Sequence, residues 1–173
     1  MGLASKLAAF AARLTSDSKV PQTALAANVA GNGPAFSAYK SAAQTGIVPS
    51  TWTKIAFQTE EFDTASAFDN NTNYRFQPLV AGYYQVNWQL DVGGTSMSLV
   101  IADIYKNGSN HKRSCGFAAT QAEAYVNGSA LVYLNGSTDY IEVYLYVAAG
   151  ANATVYGNAV HYSYFQASLA RAA

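Results

Sequence analysis

The chain has 173 residues and a mass of 18.3 kDa, the size of one domain with a terminal extension. Half of its residues are hydrophobic, 13% are aromatic and only 12% are charged, against roughly 25% charged in an average soluble protein, which excludes a disordered chain. Lys plus Arg equals Asp plus Glu, so the basic footprint required for binding a phosphate backbone is missing and nucleic acid is not an expected partner.

No run of about 18 apolar residues is present, so membrane insertion is not expected. Lys6 and Arg13 interrupt the apolar N-terminal stretch and make it a poor signal peptide; the expectation is a soluble protein made in a cytoplasm. Cys115 is the single cysteine, which rules out an intrachain disulfide and a zinc site of paired cysteines. A surface poor in charge and rich in Ser, Asn, Thr and Gly must be solvated by neutral polar groups or covered by other subunits.

Leu3, Leu7, Phe10 and Leu14 recur at spacings of four, three and four, the apolar stripe of a short helix. Such a helix is marginal alone in water, so the stripe is expected to pack on copies of itself or on another protein. From Thr15 the sequence turns to Ser, Asp, Pro, Asn and Gly and ends in Gly31-Asn32-Gly33-Pro34, which places a boundary between an N-terminal helix and linker, 1–34, and a domain over 35–173.

Beyond residue 35 the period becomes alternating. In 82–92, Tyr84, Val86, Trp88, Leu90 and Val92 alternate with Gln85, Asn87, Gln89 and Asp91, a half-buried strand with Trp88 on its core face. Over 140–147, Ile141, Val143, Leu145 and Val147 share one face, and Tyr140, Glu142, Tyr144 and Tyr146 the other. Further strands are predicted over 35–39, 52–57, 73–79, 99–106, 130–134 and 161–169. The dipeptides Asn107-Gly108, Asn127-Gly128 and Asn135-Gly136 read as tight turns. Many short strands with almost no helix point to an all-β jelly-roll sandwich of about ten antiparallel strands.

The runs Leu99 to Ala102 and Ala130 to Leu134 are apolar on both faces. A strand of an antiparallel sandwich has one face toward water, so these need a second cover, either a neighbouring subunit or an internal loop. Leu131, Tyr133, Tyr162 and Tyr164 are the candidate interface residues, since tyrosine supplies flat amphipathic contact surface.

Catalytic chemistry has little support. Cys115 and His161 could pair as nucleophile and base, but neither sits in a recognisable motif, and no serine has a G-x-S-x-G context. Asp63, Asp69, Asn70, Asn71 and Asn73 form an oxygen-rich stretch of the kind calcium prefers, with spacing that matches no EF-hand, and it reads as a solvated turn. N-x-S/T triplets begin at Asn70, Asn107, Asn127, Asn135 and Asn152, three of them the Asn-Gly dipeptides, and none is read as glycosylated. No metal, cofactor or enzymatic activity is expected.

Ala35-Phe36-Ser37-Ala38, Ile55-Ala56-Phe57, Tyr74-Arg75-Phe76, Gly82-Tyr83-Tyr84-Gln85-Val86, Tyr105-Lys106-Asn107-Gly108, Leu131 and Leu134 with Gly136, Asp139 and Tyr140, and Tyr164-Phe165-Gln166-Ala167-Ser168-Leu169 follow one another in an order and spacing that resembles the globular head of complement component 1q and its relatives in the tumour necrosis factor superfamily. The resemblance covers about residues 35 to 170. It implies a ten-strand jelly roll, a homotrimer around a three-fold axis, and binding rather than catalysis. A collagen stalk is absent and the Leu3 to Leu14 stripe stands in its place, which is more similar to bacteriophage members of the family, found as tail-fibre heads or capsid decoration proteins.

The expected function is therefore a trimeric fibre head in a phage virion that binds a bacterial surface receptor, with a host glycan as the candidate, and joins other virion proteins through residues 1–34. Asp69, Asn70, Asn71, Asn107, Asn127 and Asn135 are the candidate receptor-binding residues, on the premise that their turns lie at the end opposite the arm. The alternatives are a capsid or tail cement protein without a receptor, and a secreted bacterial adhesion module.

Overall fold

The computed structural model describes Ala26, residues 31–114, 121–158 and 162–173. The predicted helix with Leu3, Leu7, Phe10 and Leu14, and also Cys115 and His161, lie outside the described residues. Two antiparallel sheets face one another. The larger is ordered β2 (Gln44–Ile47), β12 (Ala153–Val155), β7 (Gly82–Met97), β13 (Tyr164–Ala172), β1 (Ala35–Tyr39) and β4 (Thr59–Asp63), with β10 (Gln121–Leu134) on the other side of β7. The smaller is ordered β5 (Phe68–Asp69), β6 (Arg75–Phe76), β11 (Ile141–Ala148), β8 (Leu99–Lys106) and β9 (Ser109–Arg113), with β3 (Thr53–Lys54) also on β11. The all-β jelly-roll expectation holds.

The alternation read from 82–92 is the packing rule of the core. Tyr84, Val86, Trp88, Leu90 and Val92 are buried, and they meet Val100, Ala102 and Ile104 of β8 and Ile141, Val143, Leu145 and Val147 of β11 in one hydrophobic cluster. The Trp88 indole N–H donates to the Ala102 carbonyl at 3.0 Å, so the ring enters the core with its one polar group satisfied. Phe36 stacks on Phe68 and Phe76 and meets Phe165 edge-on, closing the side of the sandwich where β1 and β13 pair.

Three local expectations need correction or refinement. Asn127-Gly128 is not a turn: both residues lie inside β10, which runs from 121 to 134 and pairs with β7 in one register from Glu123 onward, after a shift between Gln121 and Glu123. Asn107-Gly108 does form the two-residue β8–β9 hairpin, with φ of 53° and 78°, the positive pair such a turn requires. The second cover of the 99–102 run comes partly from its own chain. Leu99 and Ile101 are half-buried; Ser50 N–H is bonded to the Val147 carbonyl, and Trp52 packs on Tyr105 and Tyr146, the register partner of Ile101.

Candidate functional site: the open face of the larger sheet

The side chains of β7, β10 and β13 that point away from the core form a broad surface. Register rows run across it: Asn127, Gln89 and Tyr164; then Ser129, Asn87 and Gln166; then Leu131, Gln85 and Ser168. The centre is neutral and polar, with the Gln85 amide donating to Ser129 Oγ at 2.8 Å and Gln89 to the Tyr162 carbonyl at 3.0 Å. Around it sit Phe62, Tyr83, Tyr125, Leu131, Tyr133 and Tyr162, each at least 40% exposed. Six large, exposed apolar or aromatic side chains on one sheet face are unusual on the surface of a lone soluble domain. Tyr83 packs against Tyr133, and Tyr125 meets Tyr162 edge-on.

Of the predicted interface residues, Leu131, Tyr133 and Tyr162 are exposed here and Tyr164 is half-buried beside Gln89. The strand carrying Leu131 and Tyr133 is an edge: β10 pairs with β7, and among the described residues no strand pairs with its other side. Long edges invite pairing with other chains. One group of this edge is already engaged, since Lys106 donates from Nζ to the Tyr133 carbonyl at 2.8 Å and forms an ion pair with Asp139 at 2.8 Å.

Toward one end of this face lies Asp91, 3% exposed. Its backbone is pinned, with its N–H donating to Ser163 Oγ and its carbonyl accepting from Tyr156 N–H, while its side-chain Oδ1 is buried without a hydrogen-bond partner. Burial, and then the neighbouring Glu123 carboxylate, push the Asp91 carboxyl up to about 6. Glu123 also accepts from the Tyr125 hydroxyl at 3.0 Å, which raises that phenol to about 12.

The predicted receptor residues do not gather in one place. Asn107 and Asn135 meet at Asp139, which accepts from Asn107 Nδ2 at 2.7 Å and from Asn135 N–H at 3.1 Å. Their turns lie at the end where the chain enters β1, since Gly136 abuts Ala81 and Leu134 pairs with Gly82, beside Ala172. The amides there serve the fold: Asn135 Oδ1 accepts the N–H groups of Ser137, Thr138 and Asp139, and Asn107 Oδ1 that of Tyr140. Asp69 likewise accepts from the backbone of Asn71, Thr72 and Asn73 and from the Asn73 amide, which lowers its carboxyl to about 2. Asn71 is exposed and Asn70 half-buried in that loop, and Asn127 is exposed on the open face. The end opposite the β1 entrance is built instead from the turns around Thr95 to Ser98 and Ala148 to Asn152, joined by Gly150 N–H to Thr95 O and Ser98 N–H to Ala148 O. Small residues dominate both, and only their Gly and Ser content could have marked them in the sequence.

No family model matches the chain, and no curated protein matches it in sequence. Solved structures do match its fold. The globular domain of zebrafish complement 1qA protein is 17% identical with a TM-score of 0.55, over 81% of this chain and 99% of that one. Murine APRIL is 11% identical with a TM-score of 0.57, over 79% and 98%. The Eiger tumour necrosis factor from S. frugiperda is 11% identical with a TM-score of 0.59, over 80% and 93%. The chain thus has the jelly-roll fold shared by the complement 1q head and the tumour necrosis factor ligands.

Proposed function

We propose that this chain is a non-enzymatic virion protein of a bacteriophage, a head that self-associates into a homotrimer through the open face of the larger sheet and binds a bacterial surface. The observation that carries self-association is the concentration of Phe62, Tyr83, Tyr125, Leu131, Tyr133 and Tyr162 on that one face. The number three comes from the family resemblance. In this reading residues 1–34 form the attachment arm and 35–173 the head. The end where the arm enters suits a docking role, because Leu79 is 79% exposed there beside a cleft of about 460 Å³ lined in part by Gly33, Pro34, Ala35 and Leu169. The receptor would then meet the opposite end, at the turns around Thr95 to Ser98 and Ala148 to Asn152.

A cementing role without a receptor is the second reading. It is favoured by the way Asp69, Asn107 and Asn135 spend their polar atoms on their own turns.

Light scattering on the full chain tests the first step: a mass near three times 18.3 kDa is expected, and a monomer at micromolar concentration overturns it. An image of the intact particle with this chain located then separates a fibre tip from a lattice of contacts on all sides.

A further inference from the structure

Among the described residues, Asp91 and Glu123 are the carboxyls toward one end of the open face; its other charges are Glu61, which accepts from Ser37 Oγ, Arg171, the register partner of Tyr83, and Lys106, whose Nζ lies 5.6 Å from the centre of the Tyr133 ring. Asp91 stands on β7, with Tyr125 as its register partner on β10 and Glu123 one step further along the same face. The groups packed around it are Glu123 and Tyr125 from β10, Tyr156 from the segment after β12, whose ring lies against Gly93, and Tyr162 and Ser163 from the segment before β13. The charge that acts on Asp91 is the like charge of Glu123. A carboxylate buried to 3% exposure, with one oxygen unpartnered and the like charge of Glu123 acting on it, is costly when ionised and relieved by taking up a proton.

We propose that buried Asp91, beside Glu123, makes self-association through the open face proton-coupled: copies join with Asp91 holding a proton from solvent, and separate more readily once Asp91 is ionised next to Glu123. This rests on the self-association reading above. A second copy laid on Tyr125, Tyr162 and their neighbours removes the water that still screens Glu123, so the associated state holds protons to higher pH than the free subunit. The sign follows from linkage. A carboxyl whose proton affinity rises on association strengthens association fully below the free subunit's titration, near pH 6, and the gain is lost as pH rises through the higher titration of the assembled state.

The test is the association constant of the full-length protein, from sedimentation and from mixing of fluorescently labelled copies, between pH 5.5 and pH 8. Wild type should associate about tenfold or more tightly at pH 5.5 than at pH 8, one decade per pH unit being the limit for each proton taken up. Asp91→Asn should bind at pH 8 as wild type does at pH 5.5, with a flat profile. Glu123→Gln, an exposed surface change that leaves the core untouched, should flatten the profile in the same way and serves if Asp91→Asn does not fold. A wild-type protein that associates equally at both pH values, or a Glu123→Gln protein that keeps the wild-type slope, overturns the proton coupling and leaves self-association standing. A protein monomeric at every pH overturns both.

Discussion

Gly128 is the floor on which the Trp88 indole rests: a Cβ added at residue 128 would lie 2.2 Å from Cζ2 of that ring. The two are register partners on β10 and β7. The glycine is kept by a close approach of backbone and ring, with no turn involved. Gly128→Ala should therefore displace Trp88 and lower stability by about 1 to 3 kcal/mol, or about 2 to 4 °C of melting temperature for each kcal/mol in a chain of this length. Thermal melting followed by tryptophan fluorescence reports both the loss and the ring shift.

Trp88→Phe keeps most of the apolar volume and removes the 3.0 Å hydrogen bond to the Ala102 carbonyl, which still accepts from Ser114 N–H at 3.2 Å. A cost of about 0.5 to 1.5 kcal/mol is expected from the lost hydrogen bond, and Trp88→Ala should cost more, about 3 to 5 kcal/mol. Equal melting of wild type and Trp88→Ala would contradict the placement of this ring in the core.

Asp91 makes a prediction about the folded subunit alone. Its carboxyl titrates higher folded, near 6, than an ordinary aspartate's 3.8, so the fold loses stability as pH rises from about 4 to about 6. Asp91→Asn should be about 1 to 2 kcal/mol more stable than wild type at pH 7.5 and no more stable at pH 4. Denaturant titrations at the two pH values, at concentrations where neither protein associates, measure the difference.

Asp69 behaves oppositely. Its folded carboxyl is depressed to about 2 by the N–H groups of Thr72, Asn71 and Asn73, so its contribution is present above pH 4 and lost as pH falls through 2. Asp69→Ala should lower the melting temperature at pH 7, by an amount corresponding to about 1 kcal/mol after allowance for solvent screening, and the gap should close near pH 2.

Leu131→Arg places a charge on the open face, beside Gln85, without touching the core. The variant should keep the wild-type circular dichroism spectrum and lose self-association. A variant that still associates as wild type does would move the interface off β10.

What was legible in the sequence follows from period. β1 and β8 occupy the predicted ranges, and the face of β7 is as its alternation requires, because one side of each meets a continuous core. β9, Ser-Asn-His-Lys-Arg, is exposed throughout and offers no apolar rhythm. The two-residue β5 and β6 are too short to show one. Asn127-Gly128 misled because the dipeptide signals a turn by backbone freedom, while here the glycine answers to the ring of Trp88, a partner on β7 that is far away in sequence. Leu131 and Tyr133 lie in a run apolar on both faces, which marks a strand needing a second cover without choosing a face; that Phe62, Tyr83 and Tyr125 share their face depends on sheet order, which no local pattern encodes.

The chain enters the head as the central of three adjacent strands. Pro34 accepts a hydrogen bond from Leu169 N–H at 3.0 Å, and β1 then runs between β13 and β4, antiparallel to both. Hydrogen bonds of antiparallel ladders lie across the strands. If the head is tethered through residues 1–34 and held at its far end, tension travels along β1 and strains the rungs on both of its sides together instead of peeling them one at a time. The domain would then resist extraction in shear, a mechanical property set by the position of β1 in the sheet before any side chain is considered.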